Sequence, residues 1–131
     1  MQTWPQPPSK EEVERVIKTF FGHLQAGRFA EAHDSVGHAC DDWEDTLYTV
    51  WQDHHLIHAI PKDNSFEGRE WATDLAWLKD LSILDKMEWM SEDRVWADLT
   101  FKGEPSGYIG EFCIEPVPEG YRVQRVILKM A

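Results

Sequence analysis

The chain has 131 residues, with 24 acidic side chains against 13 basic ones and a net charge of −11. That length suits one domain with a core of its own. That charge argues against nucleic acid as a partner, since its binding needs clustered Lys and Arg to release counterions, and likewise against anionic membranes.

Residues 1–8 carry three prolines and read as an extended arm ahead of a single domain at 9–131. The start, Met1-Gln2-Thr3-Trp4-Pro5, has no basic region and no apolar run, so no signal peptide is expected. Ser9-Lys10-Glu11-Glu12 has the pattern of a capping box, and helix one then runs to about Ala26. Its apolar stripe is Val13, Val16, Ile17, Phe20, Phe21 and Leu24, with Gly27 suited to end it. A short second helix covers Arg28 to Val36, with Phe29, Ala32, His33 and Val36 on its inner face, and Gly37-His38-Ala39-Cys40 reads as a connector. A third helix, capped by Asp41 or Asp42, runs to about His58 along Trp43, Leu47, Val50, Trp51, His54 and His58, and Pro61 stops it. A fourth spans Glu67 to Leu81.

Four strands follow, roughly Ser82–Met90, Arg94–Lys102, Ser106–Pro116 and Tyr121–Met130, separated by turn clusters. The second alternates cleanly, with Val95, Ala97, Leu99 and Phe101 on one face. The fourth is mixed on both faces, which predicts an outer face covered by a second subunit. Helices followed by an antiparallel meander predict an α+β fold whose curved sheet wraps the N-terminal helices around a central pocket. Seven tryptophans raise the expectation of such a pocket. No stretch approaches the ~20 apolar residues of a membrane span, and a cytoplasmic location is expected. Cys40 and Cys113 show no metal or redox spacing; free thiols are the default and one disulfide is open.

The phrase from Val16 to Ala32, Val-Ile-Lys-Thr-Phe-Phe-Gly-His-Leu-Gln-Ala-Gly-Arg-Phe-Ala-Glu-Ala, resembles the opening of the nuclear transport factor 2-like superfamily, also called the SnoaL-like or cystatin-like α+β barrel. Gly68-Arg69-Glu70-Trp71 also looks like the start of a family helix. The resemblance implies a cone-shaped pocket between sheet and helices. It implies no single activity, because the family includes isomerases, cyclases, dehydratases, transport adaptors and immunity proteins. The isomerases' tyrosine acid would fall at Phe20 and their second acid near Gly110, and neither residue donates a proton.

His54 and His58 are the concentrated chemical signal, one helical turn apart on a single face. Three readings stand side by side: ordinary partly buried histidines; a general base in the pocket oriented by Asp98; or half of a metal site, for which no third ligand is evident. Phe20, Leu24, His33, Trp43, Leu47, Trp51 and Tyr108 are the expected pocket-lining residues. Asp98 and Glu111 sit on strands with apolar faces. Turned inward, either would be desolvated and raised in pKa; turned outward, each would be solvated. The acidic run Asp41-Asp42-Trp43-Glu44-Asp45 suits a helix N-terminus and equally a basic partner. The expected function is non-catalytic binding without a cofactor or metal. The partner is a small apolar ligand in the pocket or a basic protein at the acidic surface, as for an immunity protein, with homodimerisation through the outer sheet face. The alternative is a small cofactor-free lyase or isomerase using His54 or His58 with Asp98.

Overall fold

The computed structural model describes residues 2–38 and 79–130. It is an α+β arrangement in which two N-terminal helices meet a curled sheet. The expected third helix, and the fourth as far as residue 78, lie outside the described residues. At its expected end, Lys79 and Asp80 form a 3-10 turn, and Leu81 opens a strand.

Helix α1 (Lys10–Gln25) starts as its sequence requires. The Ser9 hydroxyl accepts from the Glu12 backbone N–H at 3.2 Å, and the Ser9 N–H donates to the Glu12 carboxylate at 3.1 Å. Two orphan donors of the first turn are thereby satisfied. Val13, Ile17, Phe20, Phe21 and Leu24 are buried, one face of a 3.6-residue period. Gly27, at φ +74°, takes the left-handed conformation that turns the chain away. Helix α2 (Phe29–Ser35) buries Ala32, with Val36 buried just past its end.

Strand β1 (Gly37–His38) pairs parallel with β6 (Gly120–Met130), where the sequence suggested only a connector. Two residues are too few to show a period. The expected strand Ser82–Met90 is two short ones, β2 (Leu81–Ile83) and β3 (Glu88–Trp89), with a bend at Asp85-Lys86 between them. Both pair antiparallel with β4 (Arg94–Phe101). β4 in turn pairs with β5 (Glu104–Val117), and β5 with β6, so the sheet runs β1-β6-β5-β4-β2 with β3 also on β4.

The mixed faces of β6 have a local cause. Glu111 pairs with Ile127, but the next residue, Phe112, pairs with Arg125, so Val126 is an extra residue on that strand. This β-bulge resets the alternation. Val123 and Arg125 share one face with Phe112 on one side of it, and Leu128 shares that same face with Gly110 on the other. Two in-register alternations of opposite phase are therefore spliced in one strand. The mixture needs no second subunit to explain it.

The inner sheet face packs on α1. Val95, Ala97, Leu99, Phe101, Phe112, Val123 and Leu128 join the buried stripe of α1 in one core cluster. Phe20, Phe21 and Phe112 meet edge to face, with ring centroids 5.2, 5.8 and 6.0 Å apart. Such pairs add about 0.5–1.5 kcal/mol each beyond their buried area. Gly110 fits because a Cβ there would press on the Phe112 ring at 3.0 Å and on Leu128 and Phe21 just beyond. The arm is tied to the far end of the sheet. Trp4 and Tyr121 exchange backbone hydrogen bonds of 2.9 and 2.8 Å. Gly120, at φ +131°, lies so close to the Trp4 carbonyl that any Cβ would overlap it.

Candidate functional site

Strand alternation separates two chemistries. On the inner face, Leu81, Ile83, Trp89, Val95, Ala97, Leu99 and Phe101 come from β2 to β4. Tyr108, Gly110, Phe112, Ile114, Val123, Arg125 and Leu128 come from β5 and β6. The register adds one carboxylate, Glu104, which pairs with Phe101 at the β4–β5 turn and is exposed. Arg125 is the one buried charged side chain at these strand positions, 1% exposed and the largest fully buried residue described. Sequence reasoning missed it, because the bulge at Val126 mixes both faces of β6 and hides which of them is the inner one.

The expected pocket residues divide accordingly. Phe20 and Leu24 belong to the packed core cluster. Tyr108 is half-buried and packs against that cluster, and His33 is half-buried on α2. Trp43, Leu47, Trp51, His54 and His58 lie outside the described residues. Asp98 sits two positions along β4 from Trp96, opposite Ile109, and so shares the outer face with Trp96 and Glu111. The carboxylate assigned to orient a histidine base therefore stands on the opposite side of the sheet from α1. A surface hollow of about 410 Å³ runs between α1 and α2 beside Gln2, Arg15, Thr19, Glu31 and Asp34.

The outer face holds an organised polar cluster. Glu111 accepts from the Trp96 indole N–H at 2.8 Å, from Arg94 at 2.9 Å and from Lys129 at 3.4 Å. The Lys129 ammonium also sits 4.6 Å from the centre of the Trp96 ring. Glu111 is 9% exposed although its strand position points away from the core. The sequence offered an inward, raised carboxylate or an outward, solvated one; the residue is neither. Its pKa lies below the usual 4.5, because the Trp96 hydrogen bond, the Lys129 bond and the charges of Lys129 and Arg94 outweigh the desolvation that opposes them. Beside it, burial raises the Cys113 thiol, with Arg94 pulling the other way. This grouping is chemically a structural clamp, since a carboxylate held ionised by three donors is a poor proton acceptor.

Among the described residues, no group of three or more His, Cys, Asp or Glu side chains could hold a metal ion, and no helix is long and apolar enough to cross a membrane. Compared with protein-family models, with curated proteins and with solved structures, the chain matches none.

Proposed function

We propose that this chain is a non-catalytic binding protein of the nuclear transport factor 2-like kind, and that it takes a basic protein partner through its acidic exterior. The observation that carries the reading is the inner layer. Its described strand positions hold no buried carboxylate, Glu104 opposite Phe101 at the β4–β5 turn being exposed, and the Phe20, Phe21 and Phe112 rings pack together there. A lyase or isomerase needs a base and an acid converging on one point of a cavity, and Asp98 stands on the other sheet face. A small apolar ligand needs free volume, and Phe20 and Leu24 are taken up by packing. The order of elements, two helices and then an antiparallel meander, supports the family resemblance.

Charge supplies the recognition. Nine of the 24 acidic residues and two of the 13 basic ones lie at 39–78, so most of the net negative charge belongs to that stretch. Such a field speeds encounter with a positively charged surface and weakens with salt.

The test titrates the full chain against a fluorescently labelled lysine-rich peptide at rising salt. Binding is expected to fall steeply as salt screens it. Asp41→Asn, Asp42→Asn, Glu44→Gln and Asp45→Asn in one variant are expected to weaken it about tenfold more than an equal charge change at the exposed Glu11, Glu92, Glu104 and Glu119. Salt-independent binding, or equal losses in the two variants, would overturn the proposal.

A further inference from the structure

The hollow between α1 and α2 brings opposite charges to one space. Helix α1 lines it with Arg15, Val16 and Thr19, and α2 with Glu31, Asp34 and Ser35. The second set falls at i, i+3 and i+4, one face of a helix. Gln2 of the arm forms a further wall. A smaller hollow of about 130 Å³ shares Gln2, Arg15 and Val16 with it and reaches to Trp4. The larger volume, about 410 Å³, lies in the range that takes a small molecule, about 300–1,000 Å³.

The charged groups are available to a ligand. Arg15, Glu31 and Asp34 are exposed, and none of the ion pairs among the described residues joins them. The neighbouring Glu12 is committed to the Ser9 cap. The walls are fixed as well. The arm is tied at Trp4 to Tyr121, the Thr19 hydroxyl donates to the Arg15 carbonyl at 2.9 Å, and the Ser35 hydroxyl donates to the Ala32 carbonyl at 2.8 Å. Residues three apart on a helix hold their Cβ atoms about 5–6 Å apart, so one planar guanidinium can donate to both Glu31 and Asp34. The Arg15 guanidinium suits a carboxylate in the same way. Between them, the half-buried Val16 and Trp4 offer apolar surface to an aliphatic stem. A polycation would meet Arg15 there and a polyanion would meet Glu31 and Asp34, whereas a molecule charged at both ends meets neither penalty.

We propose that this hollow is a binding site for a small dipolar molecule of the basic amino-acid class, with its cationic end between Glu31 and Asp34 and its carboxylate on Arg15. The site stands apart from the binding of a basic protein, because none of its residues lies at 39–78.

Isothermal titration calorimetry of the full chain with L-arginine tests this. Saturable binding of one equivalent is expected, with a dissociation constant of about 1 mM or below. Agmatine, which lacks the carboxylate, and citrulline, which lacks the positive charge, are each expected to bind at least about tenfold more weakly. Asp34→Asn and Arg15→Gln are each expected to weaken L-arginine by a similar factor, and Arg15→Gln to remove the preference over agmatine. Glu92→Gln, an equal charge change at an exposed position of the β3–β4 turn, is expected to leave binding unchanged. Circular dichroism confirms the fold of each variant. Heats that do not saturate, agmatine or citrulline bound as tightly as L-arginine, or an equal loss in Glu92→Gln would refute the assignment.

Discussion

Glu111 shows how a single residue escapes its strand position. Alternation sends it outward, but Trp96, Arg94 and Lys129 close around it. Replacing the carboxylate by an amide leaves the Trp96 N–H a weaker, uncharged acceptor and takes the ionic partner from Arg94 and Lys129. Glu111→Gln is therefore expected to cost about 1–2 kcal/mol by urea denaturation at neutral pH. Its pKa is lower folded than unfolded, so its contribution is fully present above the ordinary value of 4.5 and is lost as pH falls through the lowered folded value. The variant should lose that part of the acid dependence, and an unchanged acid limb would contradict the assignment. Cys113 is held as a thiol by burial. In a Cys40→Ala background it is expected to react with a disulfide reagent at neutral pH at least about tenfold more slowly than in denaturant.

Two elements at the N-terminus are held by local chemistry. The α1 cap is a reciprocal pair between Ser9 and Glu12, and Ser9→Ala is expected to lower stability by about 1 kcal/mol in thermal or urea unfolding. The arm is held by the Trp4–Tyr121 bridge and by the closeness of Gly120. Gly120→Ala adds both strain at a positive φ and overlap with the Trp4 carbonyl. It is expected to free the arm, read as faster amide exchange at Trp4 and Tyr121 with the β4–β5 amides unchanged. Equal acceleration across the sheet would mean that the arm is not a separate element. The split of Ser82–Met90 into β2 and β3 belongs to this scale too. A bend between two short pairings has no signature in propensity, because tertiary pairing with β4 decides where each half registers.

At the scale of the whole molecule, stability rests on α1 against the inner sheet face. Phe112→Ala removes the ring that meets both Phe20 and Phe21, and about 3–5 kcal/mol of stability is expected to go with it. Much of this layer was legible in the sequence. The capping box, the helical stripe, Gly27 and the alternation of β4 are short-range patterns, and each holds in the structure because burial repeats at 3.6 or 2 residues along one element. The candidate site was legible in part. Tyr108 and His33 were placed near the core, Asp98 was left open between faces, and the histidine pair lies outside the described residues. The sequence by itself determined the class of fold, the faces of α1 and β4 and a strongly negative net charge. Only the tertiary structure decided the parallel pairing of β1, the inward turn of Arg125 and the enclosure of Glu111. Each of these depends on a partner far away in the chain. A one-residue bulge inverts every side chain beyond it, and no pattern within a single strand reports the register it will find across the sheet.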